Sequence, residues 1–160
     1  MTQRLNIFAA APEGAKAMMA LEGAIAASGL EHSLIELVKL RASQINGCAY
    51  CLHMHVADAV KAGETDLRIH LLNAWRESAI FTDRERAALN WTEVLTNIAR
   101  TGAPDADYAL LSAQFDERER GFLSLLIGTI NAWNLIQIGF RGAHPADVVS
   151  RALATTQVAV

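Results

Sequence analysis

The sequence holds two cysteines, three positions apart, in the run Cys48-Ala49-Tyr50-Cys51-Leu52-His53-Met54-His55. A C-x-x-C pair brings two sulfurs close enough to form a disulfide and reopen it. Histidine is the side chain that most readily takes and returns a proton near neutral pH. On a helix, at about 100° per residue, Cys48, Cys51 and His55 are separated by three and four positions and share one face. His53 and Tyr50 point away from that face, so the spacing selects His55 as the partner of Cys51. A helix that begins at the pair adds exposed N–H groups and a dipole, both of which favour thiolate over thiol. A nucleophilic sulfur, a second sulfur to resolve it and a base make a dithiol that can attack an oxidant and then close.

Glu36 stands twelve residues before Cys48. If the helices on either side of Asn46-Gly47 form a hairpin, they pack side by side, and the Glu36 carboxylate can reach the His55 side of the pair. The same glutamate also completes a capping box with Ser33. The residues alone leave both roles open. Met54 lies near enough to the dithiol to line a pocket, whereas Trp75, Trp91 and Trp133 read as core or interface anchors.

The elements that must hold these residues are helical throughout. Pro12 suits a first helical turn, and the Ala-rich run after it ends at Ser28-Gly29. Ser33 to Asn46 carries an apolar stripe of Leu34, Leu37, Val38 and Ile45. The next helix runs from about Cys48 to Ala62 and stops at Gly63. Thr65-Asp66 caps a short helix, and Thr82-Asp83-Arg84-Glu85 opens another that continues toward Gly102. Pro104 with Asp105 and Asp107 suits a further first turn. Asp116 to Glu119 then opens a long apolar helix. This pattern predicts an all-α domain of six to seven helices over residues 1–142, with residues 143–160 as a tail or loosely packed helix.

Composition narrows the function. The chain has 160 residues, enough for one domain with a real core, and 52% of them are hydrophobic but only 6% aromatic. That apolar surplus is mostly Ala and Leu, and some of it is expected to be covered by other subunits. A net charge of −3 supplies no basic field for nucleic acid. Phe122 to Phe140 carries no charge and nearly matches a membrane span in length. Asn131, Asn134 and Gln137 within it favour a buried central helix instead. The N-terminus lacks the apolar region of a signal peptide, so a cytoplasmic protein with a reduced resting dithiol is expected. No glycine-rich phosphate loop calls for a cofactor.

Glu36, eleven intervening residues, Cys48-x-x-Cys51, three more, His55 and then Gly63 together resemble the alkyl hydroperoxidase D motif of the carboxymuconolactone decarboxylase-like family: five positions at fixed spacing over 28 residues. Asn131-Ala132-Trp133-Asn134 is similar to a polar turn in that family's last helix. The resemblance implies an alkyl hydroperoxidase D-like helical fold, a homotrimer or homohexamer with the dithiol near a subunit interface, and reduction of organic hydroperoxides. It implies Cys51 as the sulfur that becomes sulfenic acid, Cys48 as the one that closes the disulfide, and His55 with Glu36 as a proton relay. An external dithiol, such as that of a lipoyl-bearing protein, would reopen the bridge. Helix electrostatics alone favour Cys48 as the more acidic thiol. The better-known enzyme has a histidine where this chain has Tyr50, so part of its relay is replaced. Four other readings compete: a metal site of Cys48, Cys51, His55 and Glu36, an inert buried cysteine pair, a decarboxylase-like activity, and a non-catalytic oligomeric module.

Overall fold

The computed structural model describes residues 2–143, and among these it contains helices and no strand. Nine α-helical segments follow in order: α1 (Ile7–Ala10), α2 (Pro12–Ala26), α3 (His32–Asn46), α4 (Ala49–Lys61), α5 (Asp66–Leu71), α6 (Asp83–Thr96), α7 (Ile98–Thr101), α8 (Asp105–Ser112) and α9 (Glu117–Phe140), with a 3-10 helix at Leu72–Glu77 after α5. The expected all-α class holds. The count exceeds six or seven because α1 and α7 are single turns of four residues. The run expected to continue to Gly102 breaks at Asn97, where α6 ends and α7 restarts. The expected tail from residue 143 lies, apart from Ala143, outside the described residues.

Most helix starts follow from their caps. Thr82 and Asp116 each form a full capping box, with Glu85 and Glu119 respectively. The Thr65 side chain accepts the Arg68 N–H. The Ser33–Glu36 box does not form: Glu31 is the N-cap of α3, no side chain caps it, and the Glu36 side chain is buried instead. The expected stop at the other end of this helix is present. Gly47 adopts φ 70°, the left-handed conformation that ends α3 and turns the chain into α4.

α3 is the axis of the domain, and it is buried on several sides at once. Leu34 and Val38 pack with Trp91 and Val94 of α6 and with Leu123, Leu126 and Ile127 of α9. Leu37 and Leu40 join Ala59, Leu72, Trp75 and Leu89. Ala42 meets Cys48, Cys51 and Ile130. Three clusters on one helix leave it little freedom to shift, so whatever α3 carries is held rigidly. α9 is long and apolar enough to cross a membrane by length and composition. Here its Leu123, Leu126, Ile127 and Ile130 serve this core, while Leu125, Leu135 and Ile138 on other sides of it stay exposed.

Polar side chains bind the end of α3 to α9. The Asn46 amide donates to both Asn131 and Asn134 at 2.8 Å, and Asn134, fully buried, donates to Ser43 Oγ at 3.1 Å. Asn131 donates in turn to Thr96 Oγ1 at 3.1 Å. An amide in an apolar helix is costly unless paired, and these pairs fix the chain immediately before Gly47 and Cys48.

A charged framework surrounds the core. Glu93 accepts from Trp75 Nε1, Arg41 and Arg76, while Arg84 bridges Glu31 and Glu119. Burial pushes the Glu93 carboxyl up, but the bonds from Trp75, Arg76 and Arg41 outweigh it and hold the group below its ordinary range. The hydrogen bond from Arg84 does the same for Glu31 and for Glu119. A carboxyl with a depressed native pKa contributes stability above its unfolded pKa, about 4.3 for Glu, and that stability is lost as pH falls through the native value. The thermal midpoint is therefore expected to fall below about pH 5, and Glu93→Gln to make that fall shallower. A pH series of melting curves checks both, and an unchanged slope in the variant would refute the assignment.

Candidate active site

α3 and α4 build the site from two directions. Cys48 is the N-cap of α4, with φ −83° and ψ 94°, and its Sγ accepts the Cys51 N–H at 3.3 Å. Its own N–H donates to Ser43 O at 3.0 Å across the Gly47 turn. Cys48 and Cys51 are joined as a disulfide, their Cα atoms 5.4 Å apart, and both are buried. One turn further along α4, on the same face, His55 is also buried. The expected helix start at the pair and the shared face of Cys51 and His55 are both present.

Glu36 comes from α3 and meets His55 from the side. Its Oε2 lies 2.8 Å from His55 Nδ1, with 4% and 5% of the two residues exposed, so this contact is sealed from water. An ionised carboxylate can only accept, so opposite one Nδ1 donates and the lone pair of a neutral ring falls on Nε2. Lys39, one turn after Glu36, places Nζ 3.9 Å from Glu36 Oε1 and 2.9 Å from Glu22 Oε2 of α2. An ammonium beside a buried carboxylate offsets part of the cost of keeping that charge out of water.

A cavity of about 370 Å³ opens over this arrangement, within the range of small-molecule sites. Cys51 and His55 both line it, and so do Tyr50, Met54 and Asp58 of α4, Lys39 of α3 and Glu22 of α2. Cys48 and Glu36 are absent from its lining. The four candidate residues are therefore gathered in one place, two facing the cavity and two set behind. Tyr50 departs from expectation: it was to point away from the thiol face, yet its long side chain from the first turn of α4 brings the ring to the cavity beside Cys51. Met54 lines the cavity as expected. His53 is exposed.

Asp58 is a site residue that the sequence pattern could have indicated. It follows His55 by three positions, so the rule that joined Cys48 to Cys51 would also have placed it on that face. Glu36, His55 and Asp58 each offer a donor atom within 4.8 Å of the others, a set that could hold a metal ion. That set differs from the expected one, because the disulfide occupies both sulfurs. Lys39 beside Glu36 also opposes a cation there.

The family model for the carboxymuconolactone decarboxylase family matches residues 12–94. The uncharacterized protein YdfG of Bacillus subtilis (strain 168) is 42% identical over 138 residues, covering 86% of this chain and 94% of YdfG. The uncharacterized protein YnjA of Escherichia coli (strain K12) is 34% identical over 110 residues, covering 65% of this chain and 57% of its own length. Among solved structures, a protein of unknown function from Agrobacterium tumefaciens, provisionally described as the antioxidant defence protein AhpD, superposes with a TM-score of 0.87 at 48% identity, covering 90% of this chain and 99% of that one. An uncharacterized peroxidase-related protein from Silicibacter sp. TM1040 shares the fold, with a TM-score of 0.73 at 22% identity, over 82% of this chain and 70% of that one.

Proposed function

The chain belongs to the carboxymuconolactone decarboxylase family, and on that footing we propose that it is an antioxidant thiol peroxidase that reduces organic hydroperoxides. The observation that carries this reading is that Cys51 and His55 face one cavity while Glu36 holds the far side of the imidazole at 2.8 Å. The description of the Agrobacterium protein as an antioxidant defence protein points the same way.

In the reduced protein, His55 Nε2 takes the Cys51 thiol proton, and the resulting thiolate attacks the terminal oxygen of the hydroperoxide. The O–O bond breaks, the alkoxide takes a proton from His55 and leaves as an alcohol, and Cys51 becomes a sulfenic acid. Cys48 then attacks that sulfur. Its S–S bond forms as the S–O bond breaks, and hydroxide leaves as water with the Cys48 proton. Two electrons from an external dithiol, on this reading that of a lipoyl-bearing protein, reopen the bridge. Two features favour Cys51 over Cys48 as the attacking sulfur: it lines the cavity, and it stands one helical turn from His55, where Cys48 stands two. Helix electrostatics alone would favour Cys48, which sits at the cap, but a sulfur outside the cavity lining meets the peroxide less readily. The exposed Leu125, Leu135 and Ile138 of α9 support assembly into a homotrimer or homohexamer, and a dithiol that rests reduced suits the cytoplasm.

The test is the mass of both thiols before and after one equivalent of cumene hydroperoxide, with zinc measured on the same sample. Loss of two hydrogens from the Cys48–Cys51 peptide within seconds is expected. Stoichiometric zinc with both thiols protected would replace this reading with a metal site, and slow unselective oxidation would leave a non-catalytic module.

A further inference from the structure

The cavity has a wall that the reactive groups do not explain. Phe8 of α1 and Trp133 of α9 line it as a stacked pair, ring centroids 6.1 Å apart and planes at 23°. Met19, Tyr50 and Met54 add to the apolar lining that Cys51 shares, and Gln137 adds one neutral amide. α1 is too short to hold itself, and it is pinned from outside. Asn6 Oδ1 accepts the Phe8 N–H at 3.0 Å, the Arg4 N–H donates to Phe140 O at 2.8 Å, and Arg4 Nη1 donates to Gly139 O at 3.1 Å. A cation against the last carbonyls of α9 is favourably placed, so residues 4–8 lie strapped to the end of that helix.

The charged groups around this wall are already paired. Glu22 bonds Lys39, Asp58 bonds Lys61, and His55 bonds Glu36. The cavity therefore offers rings and thioethers to the non-reacting part of a substrate, rather than a free charge. Glu36, Cys48, Cys51 and His55 all fall within residues 12–94, the stretch matched by the family model, whereas Phe8 and Trp133 lie outside it. The chemistry sits in the shared part of the chain, and this part of the wall comes from elsewhere.

We propose that Phe8 and Trp133 are specificity-determining residues that select an uncharged hydroperoxide bearing an aryl or similarly bulky apolar group. This rests on the peroxidase reading of Cys51. Such a group is removed from water against the two rings, which draws the terminal oxygen toward the sulfur. Hydrogen peroxide has nothing to bury there.

The experiment compares kcat/KM for cumene hydroperoxide and for hydrogen peroxide in the wild type, Phe8→Ala and Phe8→Leu, with circular dichroism to confirm the fold. The ratio of the two constants is expected to favour cumene hydroperoxide in the wild type and to fall about tenfold in Phe8→Ala, through KM, the size of a lost apolar contact. Phe8→Leu should restore most of it. An unchanged ratio in Phe8→Ala overturns the proposal while leaving the peroxidase reading intact. A second measurement is independent of turnover: calorimetric binding of the product alcohol, 2-phenyl-2-propanol. If the wild type reacts with neither peroxide, the peroxidase reading fails. Weaker binding of the alcohol by Phe8→Ala than by the wild type then still upholds the apolar wall, and equal or absent binding overturns it.

Discussion

Replacing Cys51 with serine is expected to remove peroxide turnover, a fall of about 10³-fold or more, because a hydroxyl near neutral pH is a far weaker nucleophile than a thiolate. Cys48→Ser should behave differently. It should consume one equivalent of hydroperoxide at close to the normal rate and then stop as a sulfenic acid, which further peroxide drives to sulfinic acid. The contrast is clean because the second substitution is structurally mild. Cys48 is the N-cap of α4, where its sulfur accepts the Cys51 N–H, and serine is among the best residues for that position. Stopped-flow oxidation, with mass measurement of the product, distinguishes the two. Turnover by both variants at the wild-type rate would mean that the dithiol is not the reacting group.

The second large effect is expected at the relay. A positioned acid–base group contributes roughly 10²- to 10⁴-fold, so His55→Gln should lower kcat by at least about 10²-fold. Glu36→Gln keeps the shape but replaces a charged acceptor with an amide, which no longer stabilises an imidazolium; a fall of about tenfold to 10²-fold is expected. If the two act as a unit, the double variant should be little worse than His55→Gln alone. Fully additive losses would mean that the two residues act separately. Glu36→Leu is a different experiment. It leaves the buried Nδ1–H without its acceptor and should lower stability by about 1–3 kcal/mol, as melting curves can show.

The short-range features were legible in the sequence because they follow fixed spacings. The α3–α4 hairpin, the turn at Gly47, the boxes at Thr82 and Asp116, and the shared face of Cys51 and His55 all depend on positions one to four apart. Glu36 shows the limit of that logic. Ser33-x-x-Glu36 satisfies a local pattern, yet the helix begins two residues earlier and the glutamate serves a histidine nineteen positions away. Nothing local distinguishes the two roles. Asn46 and Asn134 are 88 residues apart, so a polar residue in an apolar helix could be noticed but its partner could not. Phe8 carried no signal, since α1 is one turn long and shows no periodicity; only its packing on Trp133 gives it meaning.

The position of Cys48 also bears on what oxidation does to the rest of the molecule. The bridge spans three positions, and closing so small a ring restricts the unfolded chain by only about 2 kcal/mol, against about 3 for a fifteen-residue loop. Its sulfur sits where a capping group is wanted, and a thiol can accept the same N–H. The cap at the start of α4 can thus form whether the electrons are present or spent. On the proposed peroxidase reading, a protein that alternates between these two conditions has no need to melt and rebuild its scaffold on each pass.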